Sequence, residues 1–228
     1  MPFFYLQARP TIDIDLLGIK LSNISIADVF RNITAIQCDD AVWFHSADIR
    51  EEVISERNRY QGKRLIIEAG FDTIKQNIQI DVGFGDKVTP SPVEVSYPNL
   101  LEDLPGSILL AYTPETVIAE KFQAMIELSD YNSRMKDFYD VFTIINSGKF
   151  DRSILKDAIR STFQNRGTKY RDNHSLFSPG YASDPNRNIM WDAFLKRVAA
   201  QTDLDFQYVL EVVRRELYPL WLNLKERG

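Results

Sequence analysis

Thr11-Ile12-Asp13-Ile14-Asp15-Leu16-Leu17 places two carboxylates two positions apart inside an apolar run. On a strand, residues i and i+2 project from one face, which sets Asp13 and Asp15 roughly 7 Å apart along the backbone. Carboxylates that close repel unless a cation lies between them or one holds a proton. A hard divalent ion fits the pair, because Mg2+ takes oxygen ligands and commonly binds through one or two carboxylates plus substrate phosphates. The alternative is a solvated face of an edge strand.

A second run bears on that choice. In Asn77-Ile78-Gln79-Ile80-Asp81-Val82-Gly83-Phe84-Gly85 the residues Ile78, Ile80, Val82 and Phe84 alternate with Gln79, Asp81 and Gly83, the period of a half-buried strand. Asp is depleted in strands, so Asp81 is a third strand carboxylate that breaks local preference, as functional sites tend to do. Three such acids form a plausible site for metal-assisted phosphoryl transfer. An exposed strand end is the other reading of Asp81. The Gly83–Gly85 pair is taken only as a turn.

The 228-residue, 26.3 kDa chain is 44% hydrophobic, enough for a folded core in one large domain or two small ones. No apolar stretch approaches the roughly 18–20 residues of a membrane span, and the start has no signal-peptide pattern. A single cysteine, Cys38, forms no internal disulfide, in keeping with a reducing cytoplasm. With only His45 and His174 beside it, a His/Cys zinc site is effectively excluded. The net charge of −5 argues against a grip on nucleic acid through overall charge. Locally, Arg160, Arg166, Lys169 and Arg171 interleave with Phe163 and Tyr170, either as a phosphate-contacting, base-stacking patch or as a solvated helix end. Arg50–Arg64 is also basic, but Glu51, Glu52 and Glu56 dilute it.

Five of the ten prolines (Pro90, Pro92, Pro98, Pro105, Pro114) separate two kinds of sequence. Before them, strands are expected at 11–17, 41–45, 63–70 and 77–84, with a helix near 26–36. After them, helices are expected at about 114–129, 134–147, 152–164, 189–201 and 205–218, with a surface linker at about 165–188. This order predicts an α+β protein, a mixed-sheet domain over 1–110 followed by a helical domain over 111–228.

Two of the later helices carry charge inward. Thr113-Pro114-Glu115 is a strong helix start. Behind it, Lys121 lies four residues from both Val117 and Met125, within the apolar stripe, where its stem can pack while its ammonium reaches a pocket or snorkels at the edge. Glu120 points sideways. In the next helix Arg134 shares the stripe of Phe138, Val141, Phe142 and Ile145, with Asp137 beside it. That Arg–Asp pair is either structural or places Asp137 as a nucleotide-positioning group or general base. Lys136 and Asp140 are expected to form a solvated pair opposite the stripe.

Taken together, Arg9-Pro10-Thr11-x-Asp13-x-Asp15-Leu16, Asp81, Ala119-Glu120-Lys121 and Arg134-x-Lys136-Asp137-x-Tyr139-Asp140 resemble the AbiEii/AbiGii toxin family (former DUF1814), over essentially the whole chain. That family belongs to the polymerase-β-like nucleotidyltransferases and includes toxins of bacterial toxin–antitoxin and phage-defence systems. The resemblance implies Asp13 and Asp15 as divalent-metal ligands (Mg2+ or Mn2+), with Asp81 as a third. It implies Lys121 on the phosphates of an NTP, Arg9, Thr11 and Arg134 at the nucleotide, Asp137 as the late acidic residue of the catalytic set, and Asp140 as a weaker candidate. The expected reaction moves a nucleoside monophosphate from an NTP to an RNA end such as tRNA, or to a protein hydroxyl. A cognate antitoxin and a cytoplasmic, membrane-free setting go with it. The sequence departs from the family pattern at one place. Family members carry a Gly-Gly or Gly-Ser loop shortly before the Asp-x-Asp strand, whose N–H groups would cradle the triphosphate, whereas no glycine precedes Gly18 here. The departure raises a second expectation, a catalytically deficient relative that only binds an antitoxin or RNA.

Overall fold

The computed structural model describes residues 11, 13–19, 25–56, 60–85, 88–97, 106–198 and 204–225. They fall into two compact units, Thr11–Asp86 and a second built from Lys87–Gly228. The division therefore precedes the proline-dense segment instead of following it at residue 110. The reason lies in the strand pairing: β6 (Val93–Ser96) and β7 (Ile108–Ala111) form a two-stranded sheet of their own and do not join the larger one.

In the first unit β1 (Asp13–Gly18) runs parallel to β5 (Ile74–Phe84), which is antiparallel to β4 (Tyr60–Phe71). Strands β2 (Val42–Phe44) and β3 (Arg50–Glu56) both pair with β4, at its two ends, so the sheet is mixed. Helix α1 (Ile26–Thr34) starts at Ser25, whose side chain accepts a hydrogen bond from the Asp28 N–H at 3.3 Å. Leu65, Ile67, Ile80 and Val82 occupy one face of the sheet and form a buried core with Ile26, Ala27 and Ile49. The alternation read from Ile78 to Phe84 thus buries Ile80 and Val82 and half-buries Ile78 and Phe84, and by the period of two it turns Gln79 and Asp81 to the opposite face.

One glycine in this sheet is required by space. At Gly70, paired with Trp43, a Cβ would stand 2.1 Å from the indole Cζ2 and 2.8 Å from the Ile74 carbonyl oxygen. Gly70→Ala should force the ring out of place and destabilise this unit by about 1–3 kcal/mol. A urea melt followed by Trp fluorescence measures this, and an unchanged midpoint would contradict it.

The second unit contains α2 (Pro114–Leu128), α3 (Met135–Ser147), α4 (Arg152–Arg166), α5 (Pro185–Arg197) and α6 (Phe206–Leu222). Thr113, Asp151, Asp184 and Asp205 each accept hydrogen bonds from backbone N–H groups of the helix that follows, which fixes four of the five starts. Phe122, Phe138, Phe163, Phe206, Trp191 and Trp221 lie in one buried core drawn from α2, α3, α4, α5 and α6. Among the described residues no helix is long and apolar enough to cross a membrane.

His174 packs in this core with Nε2 2.9 Å from the Ile126 carbonyl oxygen and Nδ1 accepting from the Leu176 N–H at 3.2 Å. Both contacts suit the neutral ring with its proton on Nε2. Burial pulls its pKa below the ordinary 6.5, as does the charge of Arg171, while the Ile126 carbonyl and Asp130 act the other way. With the folded value depressed, the stability from the neutral ring is complete above the unfolded pKa and declines as pH falls below it. Stability should drop between pH 7.5 and pH 5, and His174→Gln should lose that part of the slope. Equal slopes in the two proteins would contradict this.

Candidate functional site

Strand register assembles the first group of polar residues. Asp15 pairs with Asp81 across β1 and β5, Asp81 with Arg64 across β5 and β4, and Arg64 with Glu52 across β4 and β3. Directly paired residues share a face, so Asp15, Asp81, Arg64 and Glu52 form a row, with Asp13 two residues before Asp15 on the same face. This is the face opposite the buried core. Asp13 is half-buried and Asp15 exposed. Thr11 donates its hydroxyl to the Asp13 carbonyl at 3.2 Å. Arg9 lies outside the described residues.

The Asp81 carboxylate is not open to solvent on both oxygens. Arg64 donates to it through Nε and Nη2, each at 2.8 Å, in a bidentate pair. That hydrogen-bonded contact is the main reason the guanidinium pKa lies above its usual value; partial burial opposes it, and the charges of Asp81, Asp13 and Glu52 add to it. Among the described residues no three His, Cys, Asp or Glu side chains cluster closely enough to hold a metal ion by themselves. Asp13, Asp15 and Asp81 thus share a face, with one of them neutralised by an arginine.

Sequence reasoning overlooked Arg64, counting it only within a diluted basic stretch. The signal was present in the hairpin. Phe71 pairs with Ile74 around a two-residue turn at Asp72 and Thr73, so the residue eight before Asp72 must face the residue eight after Thr73. These are Arg64 and Asp81.

The second group sits between α2 and α3. Lys121 Nζ lies 2.8 Å from Asp137 Oδ1 and 2.9 Å from Asp140 Oδ2. Arg134 Nε reaches Asp137 Oδ2 at 2.7 Å, an ion contact whose angles fall outside those of a hydrogen bond. Asp137 is wholly buried, Asp140 is 4% exposed and Lys121 16%. Burial alone would lower the Lys121 pKa, but the charges and hydrogen bonds of the two aspartates outweigh it and hold the ammonium charged above its ordinary value. Two cations thus balance two buried anions.

Asp140 corrects the sequence reading, which placed it in solvent with Lys136. The buried face of α3 comprises Met135, Asp137, Phe138, Asp140, Val141 and Ile144, whereas Phe142 and Ile145 are only partly buried. The stripe was therefore phased too far toward Phe142, and three residues separate Asp137 from Asp140, close to one turn. Arg134 occupies the position just before α3 without a side-chain capping bond, and its backbone N–H donates to Asn132 Oδ1 at 2.9 Å.

In the basic stretch 160–171 both aromatic residues pack against other rings of the unit. Phe163 is in the core, Tyr170 stacks on Trp221 with centroids 4.8 Å apart, and Arg166 donates to Gln123 Oε1 at 2.9 Å. Glu120 lies 3.8 Å from Arg166, as a polar partner.

A family model described as "Nucleotidyl transferase AbiEii toxin, Type IV TA system" matches residues 1–212 of this chain. Among solved structures, JHP933 from Helicobacter pylori is similar with a TM-score of 0.49 and 12% identity, over 96% of this chain and 79% of that one. An H. pylori protein provisionally assigned as a nucleotidyltransferase gives the same score and identity, over 96% of this chain and 82% of that one. No curated protein matches the chain. With the family match spanning 212 of 228 residues, the chain belongs to the AbiEii nucleotidyltransferase toxin family of type IV toxin–antitoxin systems.

Proposed function

We propose that this nucleotidyltransferase moves a nucleoside monophosphate from an NTP to a hydroxyl of RNA, such as a tRNA end, or of a protein, using Mg2+ or Mn2+. The observation that supports this reading best is the placement of Asp13 and Asp15 on the polar face of the sheet, beside Asp81. The donor set fits the ion: paired carboxylate oxygens suit a hard divalent cation that completes its shell with water and substrate phosphates. The ion, when bound, supplies charge neutralisation at the phosphates and polarises the reacting phosphoryl group. Asp13 and Asp15 hold it. Lys121 serves the nucleotide phosphates, Asp137 and Asp140 fix its ammonium, and Arg134 secures Asp137. In the reaction the acceptor oxygen bonds to the α-phosphorus, the bond to the bridging oxygen breaks, pyrophosphate leaves and the acceptor proton is lost. A cognate antitoxin, a role in phage defence and a cytoplasmic site of action accompany this reading.

The test uses the four α-labelled NTPs one at a time, with Mg2+, against total RNA and against lysate protein. Label is expected on one acceptor class with one preferred nucleotide, and EDTA should remove it. No label on either class with any of the four NTPs would overturn the proposal and favour a relative that only binds its partner.

A further inference from the structure

Arg64 sits within the acid row, between Asp81 on one neighbouring strand and Glu52 on the other. Its contact with Asp81 is bidentate, both distances being 2.8 Å, yet the pair is not sealed: a third of the arginine side chain and a fifth of the aspartate side chain remain accessible. An ion pair that open contributes little to folding, so stability alone does not account for a positive charge at this position. The location does. Asp81 is the direct neighbour of Asp15, and Asp13 is near enough for its charge to act on the same guanidinium. Arginine stays protonated at any working pH, so this charge cannot be titrated away. It can be moved only by exchanging partners.

We propose that Arg64 is a built-in counter-ion that competes with the divalent cation for Asp81. While it holds Asp81, the cation has two carboxylates, Asp13 and Asp15. When it lets go, a third carboxylate becomes available beside Asp15, and the freed guanidinium is a donor fork suited to a phosphate. Arg64 thereby sets how tightly the acid face holds metal in the absence of nucleotide. This inference rests on the metal reading proposed above.

The experiment measures Mn2+ affinity of the whole chain without nucleotide, by electron paramagnetic resonance of the free ion. Arg64→Gln should bind Mn2+ about tenfold more tightly than the wild type, since one positive charge next to the site is gone. Arg64→Lys keeps the charge and should stay within about threefold of the wild type. Asp13→Asn should weaken binding in either background. A measurement on the wild type keeps the test independent of folding in the variants: adding Mg2+ should weaken the Arg64 Nε–H NMR signal, as its hydrogen bond to Asp81 opens to water. Unchanged or weaker Mn2+ binding by a folded Arg64→Gln would overturn the competition. So would an unchanged Arg64 Nε–H signal while the Asp13 and Asp15 amides shift with Mg2+. Absence of Mn2+ binding in wild type and Arg64→Gln alike, with no shift at Asp13 or Asp15, would remove the metal reading itself and this inference with it.

Discussion

Asp13→Asn is expected to lower nucleotidyl transfer by about three orders of magnitude while leaving the fold intact. On the proposed reading the substitution would replace a charged oxygen ligand by a neutral amide, and a metal's stabilisation of developing charge is worth several kcal/mol. A loss of about 4 kcal/mol corresponds to roughly a thousandfold in rate. Folding should barely respond, because Asp13 is half-buried on the polar face of β1 and away from the core formed by Leu65, Ile67, Ile80 and Val82. Asp28, exposed on α1 and paired with Arg31, supplies the control. Asp28→Asn should transfer label at the wild-type rate. Initial rates and far-UV circular dichroism on the three proteins measure both halves of the expectation, and comparable rates for Asp13→Asn and wild type would contradict it.

The second large effect concerns stability. Lys121→Met leaves Asp137 and Asp140 buried on α3 without the ammonium that lies within 3 Å of each. Arg134 still touches Asp137, but it reaches the other oxygen and its own side chain is 40% exposed. Breaking a buried ion pair by removing one partner typically costs about 3–5 kcal/mol, because the remaining charge is left uncompensated. Urea unfolding of Lys121→Met should show a loss of that size. Adding Asp137→Asn and Asp140→Asn removes the stranded charges, and the triple variant should recover about half of it. A loss below about 1 kcal/mol in Lys121→Met would mean that water already solvates the two aspartates. Lys121 thus holds α2 against α3, and in the proposed reaction it would also present charge to phosphate.

Much of this architecture is legible in the chain itself. The five helices of the second unit follow from capping residues and apolar period, and α5 begins at Pro185, four residues before the expected 189, because Asp184 and Pro185 make a start as strong as Thr113–Pro114. Strand β5 follows from the alternation around Asp81. Strand β3 was not legible. Arg50-Glu51-Glu52-Val53-Ile54 lacks clean alternation, and Val53 is 74% exposed, as suits a strand that pairs with β4 alone. At the candidate site, the shared face of Asp13 and Asp15 needs only the strand period. What engages each acid depends on register, which the turn at Asp72 and Thr73 sets for Asp81, and on the phase and packing of α2 and α3, which no local pattern carries. Arg64 on Asp81 is a contact between residues seventeen apart in sequence, and Lys121 bridges to Asp140 on a different helix. Both are long-range consequences of pairing.

The central claim is that the chain transfers the nucleotide rather than the terminal phosphate. Parallel reactions with α-labelled and γ-labelled NTP, in Mg2+ and with the preferred acceptor, test it most directly. The account predicts that the α-label becomes acid-insoluble on the acceptor while the γ-label appears in pyrophosphate. Transfer of the γ-label to the acceptor, or release of inorganic phosphate with no α-label incorporated, would contradict it.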